Sequence, residues 1–227
     1  MKYRAVIFDL YGTLVENFPS SKSGEVLQRM AELLGVPPVE FSALWTKAFG
    51  QRMTGAHQNF QACIQDICHT LGVNPTKAQI EKAAAIRMEN THAEVSSSID
   101  DALEVLSYLK ENGYKTGLVS NCSRETTEVW PKTKLAPFVD VAVFSAIEGI
   151  MKPDPRIFRI ALKRLEVSAK ESLYIADGMS GELTTATHLG MKAVLVQVPH
   201  DSEYENDREV WRGASISSLK EIIKLLE

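Results

Sequence analysis

The chain has 227 residues, 44% of them hydrophobic and 24% charged, with 25 basic against 29 acidic side chains and a formal net charge of −4. That composition excludes disordered, collagen-like and coiled-coil chains, and the absence of a basic run leaves no electrostatic footprint for nucleic acid. Its apolar stretches fall short of the roughly 20 residues of a membrane-spanning helix.

No charged-then-apolar leader pattern opens the sequence, so a cytoplasmic protein is expected. Three cysteines, Cys63, Cys68 and Cys122, form no dense even framework, which suits a reducing compartment. The length admits one large domain, or a core carrying a smaller insert.

Residues Tyr3 to Phe8 are aromatic and β-branched and stop at Asp9, with Gly12 close behind, which predicts a buried strand ending in a turn. From about Pro19 to Ser98 strand signals vanish. Helical stretches there are broken at Gly35-Val36-Pro37-Pro38, Gly72-Val73-Asn74-Pro75 and Ser96-Ser97-Ser98, which predicts an all-helical insert of about four helices. Trp45, Phe49 and Phe60 recur there at intervals that fit a shared apolar face, and Cys63 and Cys68 read as buried residues of the same insert, with no second pair to complete a zinc site.

Beyond the insert, Ala102, Val105, Leu106 and Leu109 mark a helix stopped at Asn112-Gly113, feeding a strand over Tyr114 to Val119. Further strands are expected at Val139 to Phe144, Ser172 to Ala176 and Lys192 to Val198. Asp154-Pro155 has the form of an N-cap with proline in the first helical position, and Ile157, Ile160, Ala161 and Leu165 supply the stripe behind it. Helices over Glu182 to Leu189 and Leu219 to Leu226 close the pattern, and Pro199 to Arg212, acidic around Glu203 to Asp207, is expected to be a solvated loop. Strands alternating with helices predict an α/β fold, a Rossmann-like parallel sheet flanked by helices.

In such a sheet, ligands gather beyond the carboxyl ends of the strands. The residues there are Asp9, Ser120-Asn121, Lys152 and Asp177. Two carboxylates, a hydroxyl and an ammonium suit a divalent cation held between acids, with an anion bound by the lysine and hydroxyl.

In these residues the sequence resembles the haloacid dehalogenase superfamily of hydrolases over nearly its whole length. Asp9-Leu10-Tyr11-Gly12-Thr13 is similar to the nucleophile loop, Ser120 to the second motif, Lys152-Pro153-Asp154-Pro155 to the third, and Asp177 with Glu182 to the acidic fourth. The helical insert lies where the superfamily's type-one cap lies. The resemblance implies a catalytic core of residues 1–16 and 97–227 with a cap of residues 17–96. It also implies Asp9 as nucleophile, Lys152 as charge neutraliser, and Ser120 with backbone amides near Gly12, Thr13 and Asn121 as the grip on the transferred group. Magnesium would be held by Asp9, the Tyr11 carbonyl, Asp177 and Glu182. The implied substrate is a small anionic molecule, with neither nucleic acid nor membrane as partner, acted on by a monomer or homodimer.

The sequence also departs from the superfamily's phosphatases. Tyr11 stands where they have a second aspartate that protonates the leaving group, and a phenol is a poor base near neutrality. Tyr11 and Ser120-Asn121 are similar to the L-2-haloacid dehalogenases, whose halide needs no proton. Those enzymes have an arginine after a cap tryptophan, where Thr46 follows Trp45 here, a tyrosine where Phe158 falls, and a metal-free Ser-Asn fourth motif in place of Ala176-Asp177-Gly178. The first expectation is therefore magnesium-dependent hydrolysis of a small phosphorylated metabolite through an aspartyl intermediate, slow for want of the aspartate. The alternatives are a metal-independent L-2-haloacid dehalogenase and a binding or regulatory protein of low activity. His57, His69, Glu94, Lys22 and Lys47 are candidate cap donors.

Overall fold

The computed structural model describes residues 2–17, 20–197 and 208–226. Its centre is a six-stranded sheet, every pairing parallel, in the order β3-β2-β1-β4-β5-β6. The strands are β1 (Ala5–Phe8), β2 (Lys115–Ser120), β3 (Val141–Phe144), β4 (Ser172–Ala176), β5 (Lys192–Val196) and β6 (Ala214–Ile216). The first five fall in the expected segments; Val198 lies outside the described residues. β6 escaped the sequence reading because three residues are too few to show a period.

β1 and β4 are buried along their whole length, as central strands covered on both faces must be. Tyr3, Val6, Phe8 and Leu106 belong to the apolar cluster on one face, and Ile7, Ile157, Phe158 and Tyr174 to that on the other. Chain order reverses between β1 and β4, which makes their carboxyl ends the switch point where a crevice opens in such sheets.

The insert holds five helices: α1 (Ser20–Leu34), α2 (Pro38–Lys47), α3 (Phe49–Met53), α4 (Phe60–Thr70) and α5 (Lys77–Ser96). The one beyond expectation is α3, too short to carry a periodic stripe. Proline opens α2, the Asn59 side chain caps α4, and Thr76 with Gln79 forms a capping box at α5, so the breaks at 35–38 and 72–75 lead into helix starts, while the third, at Ser96, ends α5. These helices have an apolar cluster of their own, with Met30, Phe41, Trp45, Phe60, Ile64 and Cys68 among its members. Trp45 lies edge-on to Phe60 at 5.7 Å, but Phe49 is exposed, so it does not share the expected apolar face.

The chain leaves and re-enters the core side by side: Ile99 donates to the Leu14 carbonyl and Glu16 to the Ser97 carbonyl, both at 3.0 Å. The remaining helices are α6 (Ala102–Glu111), α7 (Arg124–Val129), α8 (Ser145–Glu148), α9 (Pro155–Leu165), α10 (Glu182–His188) and α11 (Glu221–Leu226). Asp154 caps α9 as its sequence predicts, accepting from the Arg156 backbone at 2.8 Å. Arg124 of α7 reaches the insert and donates to the carbonyls of Gly55 and His57, both at 3.2 Å. Gly55 has φ +62°, and a Cβ there would strike the Ala146 carbonyl, so only glycine permits this approach of insert to core.

Candidate active site

Asp9 follows β1, Ser120 ends β2, Asp177 follows β4 and Glu182 begins α10; Lys152 lies just before α9. All five are buried. The Lys152 ammonium donates to Asp9 Oδ1 and, at 2.5 Å, to Glu182 Oε2. Burial alone would pull the Lys152 pKa down, but the Asp9 and Glu182 charges outweigh it and hold the ammonium above its ordinary value. It is therefore a permanent cation against the nucleophile candidate.

One carboxylate oxygen from each of Asp9, Asp177 and Glu182 lies within 4.8 Å of the others. Burial first, then the Asp9 charge, pushes the Asp177 carboxyl up to about 6. Burial likewise pushes Glu182 up to about 8, against the pull of Lys152. Glu182 Oε1 has no hydrogen-bond partner among the described residues. Three crowded acids with an unused oxygen are the donor set that a hard divalent cation takes. The residues present fit magnesium.

Gly12 shapes the approach to this cluster. Its φ is +71°, and a Cβ there would collide with the Asp177 carboxylate and the Asn17 amide. Its own N–H is spent on the Val15 carbonyl at 2.8 Å, so Gly12 contributes open space where a donor to substrate was expected. Among the described residues the buried hydroxyls of Thr13 and Ser120 have no hydrogen-bond partner, which leaves both able to donate to a bound anion. Asn121 is spent on architecture: its side chain accepts from the Lys152 N–H at 2.7 Å and donates to the Lys152 carbonyl at 3.1 Å. That pair ties the end of β2 to the lysine turn.

The Tyr11 phenol is paired with Thr126 Oγ1 of α7 at 2.9 Å, and burial drives its pKa far above the ordinary value. It cannot act as a base at neutral pH. Among the candidate donors of the insert, His69, Lys22 and Lys47 are exposed, and His57 is paired with Asp66 at 3.1 Å. Glu94 is buried with Asn90 and Arg87 as donors at 2.5 and 3.2 Å. Cys122, beside the site, is buried and its thiol is pushed up by that burial; Cys63 and Cys68 are buried in the insert.

Four participants escaped the sequence reading. Asn17 donates to Asp177 Oδ2 at 3.2 Å, and Arg208 lies 3.7 Å from the same oxygen. Glu209 caps α10, accepting from the Leu183 and Thr184 backbones at 2.7 and 3.1 Å. The expected solvated loop is thus wrong at Arg208 and Glu209, which the fold turns toward the site; its acidic stretch, Glu203 to Asp207, lies outside the described residues. The fourth is Tyr174, whose hydroxyl donates to Glu182 Oε2 at 2.6 Å. A tyrosine among the apolar residues Leu173, Ile175 and Ala176 of one strand was its one visible signal, because a buried phenol needs a partner.

The profile of the haloacid dehalogenase-like hydrolases matches residues 3–190. The chain belongs to that family. The hydrolase is 26% identical to the glyceraldehyde 3-phosphate phosphatase of Pyrococcus abyssi over 99% of this chain and 94% of that one. It is also 27% identical to the (S)-2-haloacid dehalogenase 4A of Burkholderia cepacia, covering 89% and 87% of the two chains. The fold of a HAD phosphatase from Thermococcus onnurineus superposes with a TM-score of 0.69 at 21% identity, over 98% of this chain and 97% of that chain. Relatives of both chemistries thus flank this hydrolase, and no helix among its described residues is long and apolar enough to cross a membrane.

Proposed function

We propose that this hydrolase removes phosphate from a small phosphorylated metabolite with magnesium, through an aspartyl-phosphate on Asp9. The observation that carries the reading is the crowding of Asp177 and Glu182 against Asp9, with burial and mutual repulsion raising both pKa values. Two carboxyls so raised beside Asp9 leave a place for a cation, which would favour their ionised forms. Magnesium held by Asp9, Asp177, Glu182 and the Tyr11 carbonyl would relieve the repulsion and neutralise phosphoryl charge.

Asp9 attacks phosphorus while the bond to the leaving oxygen breaks, and water then attacks the phosphorus of the acyl phosphate, releasing phosphate and restoring Asp9. Lys152 holds a positive charge against the reacting oxygens, and the Ser120 and Thr13 hydroxyls donate to those of the phosphoryl group. With the Tyr11 phenol turned to Thr126, no carboxylate occupies the proton-donor position, so good leaving groups react fastest. Residues 17–96 act as the cap that covers the bound substrate.

The test is release of phosphate from p-nitrophenyl phosphate, acetyl phosphate and glyceraldehyde 3-phosphate, with magnesium and with chelator. Turnover that requires magnesium and is lost in Asp9→Asn supports the reading; turnover indifferent to chelation overturns it. Tyr11→Asp restores the missing donor, and an increase in turnover of poor leaving groups is expected.

The second reading is metal-independent dehalogenation of a 2-haloacid, favoured by that same Tyr11, because departing halide needs no proton. Halide release from L-2-chloropropionate in chelator decides for it, and silence across 2-haloacids removes it. A chain inactive in both assays would be the binding or regulatory protein of the third expectation.

A further inference from the structure

Lys152 has two buried acidic acceptors but also a neutral neighbour that the chemistry above does not use. Tyr174 lies at the middle of β4, fully buried, its ring edge-on to Phe158 with centroids 5.0 Å apart. The two rings fill adjacent space in one apolar cluster, yet only one carries a hydroxyl. Packing alone is met by phenylalanine, as Phe158 shows. A buried hydroxyl costs free energy unless it is bonded, and this one is bonded twice, to both members of the Lys152–Glu182 pair. It donates to Glu182 Oε2 at 2.6 Å and accepts a longer bond, 3.4 Å, from Lys152 Nζ.

The same Glu182 oxygen accepts from Lys152 at 2.5 Å, and Lys152 also donates to Asp9. Lysine is a flexible four-carbon stem with a point charge, so its placement depends on the groups around the ammonium. Asp9 must be free to bond to substrate, which leaves Glu182 as the fixed anchor. Glu182 in turn is oriented from one side by Lys152 and from the other by the rigid Tyr174 ring, held in a central strand. Removing the hydroxyl would leave that oxygen with the ammonium as its one donor, and the carboxylate free to turn and draw Nζ from Asp9.

We propose that Tyr174 is a positioning residue that acts through Glu182 to hold the Lys152 ammonium against the Asp9 nucleophile. This rests on Asp9 and Lys152 being the reacting pair, which both phosphoryl and halide readings share. The ligand that benefits is the transferred anionic group or departing halide at Asp9, and the role lies in turnover, not in affinity.

The experiment compares Tyr174→Phe, Glu182→Gln and the double variant on p-nitrophenyl phosphate with magnesium and on L-2-chloropropionate, alongside their thermal melts. Misplacement of a reacting charge by a fraction of an ångström to 1 Å costs about ten- to a hundredfold. Tyr174→Phe is expected to lower kcat by about tenfold with KM changed less than about twofold, at a wild-type far-ultraviolet spectrum. In the Glu182→Gln background the same substitution is expected to cost less than about threefold, because the short bond through which the hydroxyl acts is to that carboxylate and only the long one from Lys152 remains. A kcat within about twofold of wild type, or losses that multiply in the double variant, overturns the inference.

If wild type turns over neither substrate, the proposed function fails by itself. A crystal structure of Tyr174→Phe then decides: Glu182 rotated and Lys152 Nζ withdrawn from Asp9 supports the positioning role, and an unmoved pair overturns it. Should Tyr174→Phe not fold, the structure of Glu182→Gln answers the same question, since Nζ unmoved without the carboxylate shows that the Tyr174–Glu182 bond does not place it and overturns the inference.

Discussion

At the carboxyl ends of β1 and β4, three carboxylates, Asp9, Asp177 and Glu182, meet the Lys152 ammonium and, at 3.7 Å from Asp177, the Arg208 guanidinium. Where the helical insert meets the core, Arg87 bridges Glu94 of α5 at 3.2 Å and Glu125 of α7 at 3.6 Å. Arg52, lying 4.4 Å over the Trp45 ring, and Arg124 join this second cluster around a cavity of about 20 Å³. In the second cluster three guanidiniums face the Glu94 and Glu125 carboxylates, with Arg124 donating to backbone carbonyls, and its effect is cohesion between insert and core. In the first, three carboxylates crowd one another, and burial with mutual repulsion raises the pKa values of Asp177 and Glu182. Crowding of this kind survives where it serves chemistry, because it stabilises nothing by itself.

The comparison breaks most sharply at Asp9. Asp9→Asn removes the nucleophile and one member of the crowded set, so turnover is expected to fall by on the order of a thousandfold while the melting temperature holds or rises. Phosphate or halide release measured beside a thermal melt checks both halves. Lys152→Met acts in the opposite sense, because it strips the cation from three buried carboxylates. A loss of about 3–5 kcal/mol in urea unfolding without divalent ions is expected.

In the second cluster, Glu125→Ala leaves Arg87 with Glu94 alone and is expected to cost about 1–3 kcal/mol in the same unfolding measurement. Its effect on turnover should be small beside that of Lys152→Met, and an equal loss would erase the distinction between the clusters.

A smaller effect separates them by pH. Asp177 and Glu182 keep their protons in the folded chain, up to about 6 and about 8, after the unfolded chain has released them. Their contribution to stability is therefore complete below the unfolded values and is lost as pH rises through about 6 and then about 8. Magnesium binding to the ionised set should restore it, by about 1.4 kcal/mol when the free ion is tenfold above its Kd. Melting curves with and without magnesium should accordingly diverge more at pH 8 than at pH 6.

Least affected is Tyr11→Phe. It removes one partly buried hydrogen bond to Thr126, so about 1 kcal/mol of stability and less than about twofold in turnover are expected to go. A large fall in turnover would instead return the phenol to the chemistry.

The five longer strands were legible because β-branched and aromatic runs between helix stops report burial on both faces. Asp9, Ser120, Lys152 and Asp177 were legible because each sits at or beyond a strand end marked in the chain, whereas Glu182 entered through the resemblance of the fourth motif. The roles of Gly12 and Asn121 were legible only in part: that the first serves by lacking a Cβ and the second by tying β2 to the Lys152 turn depends on neighbours far away in sequence.

The chain by itself determined an α/β fold with a helical insert and an acid-and-lysine site, since local periodicity, caps and strand-end residues are written in consecutive positions, and the resemblance of its motifs to a known superfamily implied a hydrolase. Only the tertiary structure decided where the polar side chains spend their hydrogen bonds. Tyr174 meets Glu182 and Lys152, Arg208 approaches Asp177, and the Tyr11 phenol turns to Thr126, pairings set by which strands and helices become neighbours. A sequence shows which residues carry donors and acceptors; which donor meets which acceptor is fixed when burial removes water as the alternative partner.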